Sequence, residues 1–513
     1  MSRRFHSLAT RRIAVASTVL VVGALVTGCT SAVNSTPPPP DPVAGGTLVV
    51  ATALDAAPAP VFQSLQRNDP WAGNVYEPVI QLDADGQPRG VLAESWELSG
   101  DGLTMDIQLR DDVTFHTGRP MTAEDVKYSI EASAVPTAGN NLAFIPKQFT
   151  SVEVVSDTEL SITLANRVAG LFDYFDVLPV VDQETFAGLE DGSEVVGTGP
   201  FTFGDWQPGA SFMLTRYEDY WGEAPYLDAV EFVITADATA ETAAVRSGRA
   251  QVAFGLTASD ASTFTGDYEI LSGAGTLYPL GLNVTIPPFD NKEVRQAVAY
   301  ALDQERINDQ VFAGTGLVTD LLWSPSTPGY SDELANHYEY DVELATQMIE
   351  DAGATGVEVP IAFGANPTVR SEYEIVANNL TEIGLVPVAV AMDQPTYQAG
   401  QAAGDLGAAF LPLHGVVGQS PATMLSGVPT LREGNPSQFW TEEYRALIAD
   451  VQAAADEEEQ AEAVAALSEY MLDEAFLLSG VQAPAPVVVS SAVGGVVTTF
   501  SGQLALHRAW LAE

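Results

Sequence analysis

The sequence contains a single cysteine among its 513 residues, and it is poor in basic side chains. One cysteine excludes an intramolecular disulfide and any metal cluster built on several thiolates. Only 21 Lys and Arg residues stand against 68 Asp and Glu residues, which gives a formal net charge of -47 at pH 7. Because a surface this acidic repels phosphate groups, we expect no nucleic-acid partner.

Histidine is scarce as well, and the sequence patterns of common catalytic sites are missing. The histidines, which are His6, His116, His337, His414 and His507, do not have the spacing of metal ligands. Neither a G-x-S-x-G turn nor an H-E-x-x-H helix occurs. We therefore expect no metal, no cofactor and no enzymatic activity. A hydrolase is the alternative, which an assay against generic ester and peptide substrates would decide.

Long apolar runs are missing except for one near the start of the chain, Ile13–Val26. A run of this length is too short to span a bilayer comfortably. Arginines precede it at positions 3, 4, 11 and 12. A positive segment followed by a short apolar stretch is typical of a secretory signal peptide. We predict that residues 1–28 are such a signal peptide.

The only cysteine, Cys29, directly follows the small residues Thr27 and Gly28. This arrangement resembles the lipobox of bacterial lipoproteins, which implies that Cys29 carries diacylglycerol. Residues 29–46 include Pro37–Pro40, and we predict that they form an extended tether. No later stretch is apolar for long enough to form a transmembrane helix. We therefore expect an extracytoplasmic protein that is anchored to the cell membrane by lipid alone.

The rest of the sequence has the composition of a packed protein, with 46% hydrophobic residues. Its length predicts two to four domains at roughly 100–200 residues each. Segments 94–98 and 104–109 flank the turn Ser-Gly-Asp-Gly, which predicts a β-hairpin. Thr122 starts a capping box, which predicts the beginning of a helix.

Helical and strand-like patterns alternate after residue 290, which favours a second α/β lobe. The predicted helices cover 291–308, the residues between Asp341 and Gly353, the residues after Thr441, and 457–471. The predicted strands cover 357–363 and 386–390. The tail 486–510 is again strand-like, and we expect it to return to the first lobe because chain ends often lie close together.

Ten short segments form an ordered set over nearly the whole chain after the tether. They are Val75–Pro78, Leu82–Gly86, Leu92–Glu97, Asp101–Thr104, Leu109–His116, Met121–Val126, Gly197–Phe201, Tyr217–Trp221, Pro288–Ala297 and Tyr300–Glu305. In order and distance this set resembles family 5 extracellular solute-binding proteins, which are the dipeptide-, oligopeptide- and nickel-binding components of ABC importers. One segment alone would be weak evidence, whereas the ordered set is specific.

The resemblance implies an α/β, two-lobed periplasmic-binding-protein-like fold (type II, cluster C) with an extra β-rich subdomain in the first lobe. On this basis we predict lobe I from residues 47–75, 196–285 and 487–513, the β-rich subdomain from 76–195, and lobe II from 286–486. The resemblance also implies that the lobes close around a ligand like a hinge. Closure would change the surface that the protein offers to the membrane permease.

The sequence departs from the family pattern in the expected ligand site. Peptide binders of the family usually carry a W-x-x-D-x-x-D-P-like loop, in which one aspartate pairs with the amino terminus of the peptide. The matching stretch, 405–421, has neither the tryptophan nor the downstream aspartates. A ligand that lacks a free amino group, or one held by His414 and Gln419, therefore becomes more plausible. A peptide is favoured, and nickel chelates, sugars and other small organic solutes are alternatives.

Candidate ligand-binding residues follow from their positions relative to the expected cleft. Aromatic side chains would supply contact area and amides would fix the orientation of a ligand. The candidates are Asn74, Tyr76, Phe254, Thr257, Tyr278, Asn283, Trp323, His414 and Gln419. For each of them, core packing or a satisfied loop contact is the alternative interpretation.

The expected partners are a small solute, the permease subunits of an ABC importer, and the membrane through the lipid anchor. We expect the protein to be a monomer. A surface-binding or sensor protein that is not coupled to transport is the alternative, which the sequence leaves open.

Overall fold

A computed structural model gives the fold of most of the chain after the predicted tether. It describes residues 42–59, 61–62, 70–135, 142–189, 192–273, 275–415 and 418–512. The predicted signal peptide, Cys29 and most of the predicted tether lie outside the described residues. No described helix combines the length and hydrophobicity needed to cross a bilayer.

The strands, in chain order, are β1 (Thr47–Thr52), β2 (Ile80–Leu82), β3 (Pro88–Gly90), β4 (Ala93–Leu98), β5 (Thr104–Leu109), β6 (Phe149–Ser156), β7 (Glu159–Leu164), β8 (Phe201–Gln207), β9 (Ser211–Arg216), β10 (Ala229–Ile234), β11 (Val252–Phe254), β12 (Tyr268–Ser272), β13 (Thr276–Leu282), β14 (Leu317–Val318), β15 (Glu358–Gly364), β16 (Val386–Met392), β17 (Ala409–Leu411), β18 (Leu477–Ala483), β19 (Pro486–Ser490), β20 (Val493–Gly494), β21 (Val497–Thr498), β22 (Leu504–Ala505) and β23 (Trp510–Leu511).

The α-helices are α1 (Ala72–Val75), α2 (Ala123–Ser133), α3 (Leu171–Val177), α4 (Ala238–Arg246), α5 (Ala258–Ala261), α6 (Lys292–Ala301), α7 (Gln304–Val311), α8 (Asp332–Ala335), α9 (Val342–Asp351), α10 (Pro367–Glu382), α11 (Gln394–Ala403), α12 (Pro421–Gly427), α13 (Glu442–Ala453) and α14 (Glu457–Glu474). Short 3-10 helices lie at Pro146–Gln148 and Phe186–Leu189.

A seven-stranded sheet, called sheet 1 below, has the order β12-β19-β11-β1-β10-β9-β8. Its central strand β1 is parallel to β10 and β11, and the outer strands pair in antiparallel fashion. Five of the six residues of β1 are buried or half-buried, as expected for a parallel strand with both faces covered. Strand β19 joins this sheet beside β11, which confirms that the tail returns to the first part of the fold.

A six-stranded sheet, called sheet 2 below, has the order β14-β18-β13-β17-β15-β16. Strand β15 is parallel to β16 and β17, while β13 and β18 run antiparallel to their neighbours. All seven residues of β18 are buried, because this strand is paired on both sides and its two faces are covered. The predicted strands at 357–363 and 386–390 are confirmed as β15 and β16.

A separate antiparallel sheet with the order β4-β5-β7-β6 lies within residues 93–164. The predicted hairpin is confirmed, since Trp96 pairs with Ile107 in β4 and β5. The predicted capping box is also confirmed: the Thr122 side chain accepts a bond at the start of α2, and Asp125 accepts one from the Thr122 backbone. This sheet supplies the β-rich region that the sequence led us to expect between residues 76 and 195.

Two sequence expectations differ from the structure. The single helix predicted over 291–308 is two helices, α6 and α7, because Leu302 adopts an extended backbone and Asp303 caps a new helix by accepting a bond from the Arg306 backbone. The predicted lobe I includes residues 276–282, yet these residues form β13 of sheet 2 because they pair with β17 and β18. The division into lobes otherwise remains a prediction.

Close packing against α1 explains why the segment Gly197–Phe201 contains two glycines. A Cβ atom at Gly197 would lie 2.0 Å from the carbonyl oxygen of Val75, and one at Gly199 would lie 2.7 Å from that of Asn74. Any side chain at these positions would therefore displace α1. The segment packs against α1 and leads into β8 of sheet 1.

Candidate functional site

Two chain connections join the large sheets. Strand β12 of sheet 1 is followed by β13 of sheet 2, and β18 of sheet 2 is followed by β19 of sheet 1. The connections lie side by side, since the Gly273 backbone donates to the Ala485 carbonyl at 2.8 Å. A Cβ atom at Gly273 would lie 2.8 Å from the same oxygen, so this approach requires glycine. A pair of adjacent crossings is the geometry of a hinge.

In each sheet the carboxyl ends of the parallel strands form one edge, and these two carboxyl edges lie next to each other. In open α/β sheets, ligands bind outside the carboxyl ends of the parallel strands. Helix α5 follows the carboxyl end of β11, and its Ala258 packs in the same hydrophobic cluster as Leu280 and Val311, which belong to β13 and α7. The carboxyl edge of sheet 1 therefore meets the layer of sheet 2. We take the region between the two edges as the candidate site.

Phe254 and Thr257 lie on the carboxyl edge of sheet 1, where the sequence interpretation places them. Phe254 is the last residue of β11 and is half-buried against the large core that contains Val252. Thr257 caps α5: its hydroxyl accepts from the Asp260 backbone at 3.1 Å and donates to the Asp260 carboxylate at 2.7 Å. The Thr257 hydroxyl is thus already engaged by its own helix.

Tyr278 and His414 come together on the carboxyl edge of sheet 2. Leu277, next to Tyr278, forms a backbone bridge with His414 just beyond the end of β17. The His414 Nε2 atom is 3.0 Å from the Thr430 hydroxyl, and burial lowers the pKa of this histidine to about 4. His414 is therefore a neutral imidazole at pH 7 and adds no positive charge to the edge.

Asn74 and Tyr76 lie together beside the C-terminal segment. The Asn74 amide donates to the Leu504 carbonyl at 2.7 Å, and its oxygen accepts from the Leu506 backbone at 2.8 Å. These bonds tie α1 to β22 and engage both ends of the amide. Tyr76 lines a cavity of about 20 Å³ together with Gln503, which has room for about one water molecule.

Asn283 lies away from the two carboxyl edges, and Trp323 is buried in a core cluster. Asn283 follows the far end of β13 and accepts from the Thr285 backbone and hydroxyl at 3.0 and 2.7 Å. Because β13 is antiparallel to β17, the last residues of β13 lie beside the amino ends of the parallel strands. Asn283 is therefore not near the crossover, where we expected it. Trp323 is 2% exposed and donates to the Ser468 hydroxyl at 2.8 Å within a core cluster of sheet 2.

Gln419 is half-buried and directly precedes a contact that the sequence did not indicate. Asp173 of α3 accepts three hydrogen bonds through its Oδ2 atom: from the Ser420 backbone at 3.1 Å, the Ser420 hydroxyl at 2.7 Å and the Thr423 hydroxyl at 2.5 Å. We call Asp173, Ser420 and Thr423 the Asp173 latch. Burial raises the pKa of Asp173, and these hydrogen bonds oppose the effect.

The latch joins the β-rich region to the part of the chain that contains sheet 2. A second contact of this kind is the hydrogen bond from the Arg167 guanidinium to the Ala455 carbonyl at 2.8 Å. The sequence signal for one side of the latch was available, because Ser420 followed by Pro421 is typical of a helix start. Nothing in the sequence singled out Asp173 among the many other acidic residues.

In the part of the chain that the structure describes, no group of three or more His, Cys, Asp or Glu side chains is arranged to hold a metal ion. The candidate site is therefore a contact surface of aromatic, hydroxyl and buried acidic groups between two sheets. Such a surface can hold a ligand by shape and hydrogen bonding.

Comparisons with known proteins agree with this geometry. The sequence model of one family, the bacterial extracellular solute-binding proteins, family 5 Middle, matches residues 87–430. Heme-binding protein A of Haemophilus influenzae is 28% identical over 460 residues, which cover 81% of this chain and 83% of that protein.

Two solved structures share the fold. NikA from Brucella suis in complex with Fe(III)-EDTA has a TM-score of 0.80 at 22% identity and covers 91% of this chain and 100% of its own. The ABC transporter-associated periplasmic binding protein DppA from Helicobacter pylori in complex with the peptide STSA has a TM-score of 0.76 at 21% identity, with 92% and 99% covered.

The predicted two-lobed α/β fold of periplasmic-binding-protein type is thus confirmed. The family match spans more than half of the chain. Proteins of this family bind substrates and are not enzymes, which confirms the prediction that this protein is not an enzyme. The chain belongs to the bacterial extracellular solute-binding proteins, family 5.

Proposed function

We propose that this protein is the lipid-anchored substrate-binding component of an ABC importer. It encloses a peptide or another small organic solute between two hinged lobes and delivers it to the permease. Cys29 carries the lipid, and residues 29–46 hold the binding domain away from the membrane. Lobe I consists of sheet 1 with the β-rich subdomain at 76–195, and lobe II consists of sheet 2 and its helices.

The observation that carries this proposal is that the chain combines two adjacent connections, which can act as a hinge, with the Asp173 latch. The lobes are linked covalently only by the adjacent connections after β12 and β18, so rotation about Gly273 and Ala485 separates them. Asp173 belongs to lobe I, whereas Ser420 and Thr423 belong to lobe II. Their hydrogen bonds can exist only when the lobes are together, so the latch stabilises a closed form in which a solute would be shielded from water.

The range of ligands in similar proteins supports a small organic solute without fixing which one. The relatives named above are a heme-binding protein, a protein in complex with Fe(III)-EDTA, and a protein in complex with a peptide. These ligands differ greatly in shape and charge. The residues that face the cleft in this chain must therefore determine the choice of solute.

A disulfide across the latch tests whether closure retains the solute. A Cβ atom at Gly170 would lie 3.1 Å from the Thr423 Cβ atom, a little below the roughly 3.5–4.5 Å found in disulfides. We expect the oxidised Gly170→Cys/Thr423→Cys variant to exchange a co-purified solute at least a hundredfold more slowly than the reduced form. Native mass spectrometry of the oxidised and reduced protein measures this exchange.

The same variant distinguishes transport from binding alone. Cells in which the oxidised variant replaces the natural protein should fail to take up the solute, and a reductant should restore uptake. The reduced form of the double variant controls for both substitutions, because a side chain at Gly170 alone would clash with the Thr423 hydroxyl of the latch. Equal solute exchange with and without the disulfide would contradict the hinge mechanism.

The lipid anchor has its own test. Replacing Cys29 removes the thiol that would carry diacylglycerol. We expect the full-length Cys29→Ser variant to move from the membrane fraction to the soluble fraction, as measured by immunoblotting. Unchanged membrane association would contradict the anchor while leaving the solute-binding proposal intact.

A further inference from the structure

The turn between β21 and β22 carries an aromatic residue, Phe500, that no part of the site described above uses. Backbone hydrogen bonds close this turn, from Thr499 to the Gln503 carbonyl at 2.9 Å and from Gly502 to the Thr499 carbonyl at 2.8 Å. Phe500 is only half-buried. None of the hydrophobic clusters formed by the described residues includes it. Because large aromatic residues usually pack into a core, the position of Phe500 calls for another explanation.

The hairpin that presents Phe500 is tied to the proposed lobe I on both sides. On one side the Thr498 hydroxyl donates to the Ser272 carbonyl at 3.1 Å. Ser272 is the last residue of β12, directly before the crossing to sheet 2. On the other side the Leu504 carbonyl accepts from the Asn74 amide of α1 at 2.7 Å. The turn is therefore fixed next to the hinge, and its ring moves with lobe I.

The Phe500 ring lies between glycines of two turns that are distant in the sequence. Gly86 lies between β2 and β3, and a Cβ atom placed there would be 3.5 Å from the Cε2 and Cζ atoms of the ring. Gly418 precedes α12, and a Cβ atom placed there would be 3.5 Å from Cζ and 3.7 Å from Cε1. These are van der Waals distances, so no more than a methyl group would fit between the ring and either backbone. Gly86 belongs to the proposed lobe I and Gly418 to the proposed lobe II, so the ring bridges the two.

The stretch that faces the ring continues into the Asp173 latch. Ser420 and Thr423, which donate to Asp173, follow Gly418 at the start of α12. The latch is polar, whereas the contact with the ring is apolar. When the lobes separate, Gly418 moves away and water reaches more of the ring, which is unfavourable for an apolar surface. Two contacts of different chemistry on one stretch of lobe II therefore favour the closed form.

We infer that Phe500 is a positioning residue for closure: its ring packs against Gly418 and holds residues 418–423 where Asp173 can bind them. This inference rests on the proposed function, because it requires lobes that open and close. It adds a residue of the C-terminal segment to the contacts that keep the solute enclosed. Phe500 acts through the position of residues 418–423, and its role requires no contact with the solute.

Spin labels on the two lobes measure closure without an added ligand. Cys29 is the only cysteine of the chain. A parent protein with Cys29→Ser, Val155→Cys and Leu344→Cys therefore takes labels at two positions only, and both are exposed. Val155 lies in β6 of the proposed lobe I, and Leu344 lies in α9 of the proposed lobe II. Double electron–electron resonance on the protein as purified gives the population with the distance of the closed structure and the population of open forms.

Two variants of the same hairpin locate the effect. Phe500→Ala removes the ring, whereas Val497→Ala removes an exposed apolar side chain from β21 and is the matched control. We expect F500A to lower the ratio of closed to open protein at least fivefold, which corresponds to about 1 kcal/mol. We expect V497A to leave this ratio unchanged. Phe500→Leu keeps part of the apolar surface and should give a smaller shift in the same direction. A thermal melt checks that all variants are folded.

The outcomes separate this inference from the proposed function. If F500A keeps the distances of the parent protein while Asp173→Ala opens it, the inference is overturned and the hinge stands. If F500A does not fold, F500L decides, and an unchanged ratio overturns the inference. If the parent protein lacks the closed distance, or if Asp173→Ala leaves the distances unchanged as well, the hinge mechanism fails and the role of Phe500 fails with it.

Discussion

At the scale of single residues, burial and hydrogen bonding indicate whether a candidate side chain has a structural role or a role in binding. Trp323 was a candidate ligand contact from its sequence position, yet it is buried in a core cluster and donates to Ser468. The Asn74 amide likewise forms hydrogen bonds with the C-terminal segment. Large aromatic residues in a packed interior usually contribute to stability.

Replacing Trp323 tests this distinction. We expect Trp323→Phe to lower the free energy of unfolding by about 2 kcal/mol, because a hydrogen bond is lost and a cavity remains. We expect the affinity for the solute to change less than twofold. Urea unfolding and calorimetry measure the two quantities. A large loss of affinity at unchanged stability would restore Trp323 as a ligand contact.

Glu77 gives the protein a predictable dependence on pH. It accepts hydrogen bonds from the Tyr220 hydroxyl at 2.6 Å and the Trp221 indole at 2.9 Å, and burial raises its pKa to about 7. Between pH 4.5 and pH 7 the unfolded chain has released this proton while the folded protein keeps it. The stability that Glu77 contributes is therefore complete below pH 4.5 and is lost as the pH rises toward 7.

The matched variant Glu77→Gln cannot titrate. We expect the natural protein to lose on the order of 2–3 kcal/mol more stability than Glu77→Gln between pH 4.5 and pH 7.5. Urea unfolding at several pH values measures the difference. Parallel curves for the two proteins would show that Glu77 does not retain its proton in the folded state.

At the scale of elements, the start of α12 and the helix α3 form a contact between the two proposed lobes. The N-terminus of a helix presents unpaired backbone N–H groups, and Ser420 caps α12 while also donating to Asp173. The Asp173 carboxylate therefore completes the start of a helix that belongs to the other proposed lobe. Loss of this acceptor should affect the closed form far more than either lobe alone.

We expect Asp173→Ala to weaken solute binding at least tenfold, which corresponds to about 1.4 kcal/mol, and to increase the radius of gyration of the loaded protein. Calorimetry with the retained solute and small-angle scattering measure these effects. Asp341→Ala is the matched control, since Asp341 caps α9 within one proposed lobe through the Leu344 backbone. Equal effects of the two substitutions would assign Asp173 a purely local role.

At the scale of the whole molecule, the net charge of -47 means that acidic side chains repel one another strongly. Most acidic side chains are exposed, and they repel each other in the folded state. Salt screens this repulsion, because the Debye length falls from about 10 Å at 0.1 M to about 3 Å at 1 M. We expect the melting temperature to rise by several degrees when sodium chloride is raised from 0.02 to 0.5 M. Choline chloride should give the same rise. A fall in melting temperature would mean that attractive ion pairs outweigh the repulsion.

Much of the secondary structure could be read from local patterns. The β4–β5 hairpin follows from a glycine-containing turn between alternating strands, and α2 follows from the capping box at Thr122. The break between α6 and α7 could not be read in this way, because the apolar spacing continues through Leu302 while the backbone turns at Asp303. Periodicity reports which face of a segment is buried, and it does not report where a helix is capped.

The sequence by itself determined the family, the α/β class, the excess of negative charge and the glycine positions that allow close packing, because these depend on composition, local spacing and an ordered set of short segments. The tertiary structure decided which side chains meet across the two sheets. Asp173 reaches Ser420 across 247 residues, and Glu372 is buried where α10 lies over Gly480 of β18. Contacts between distant segments and burial arise from packing in three dimensions, and a linear sequence carries no local signal for either.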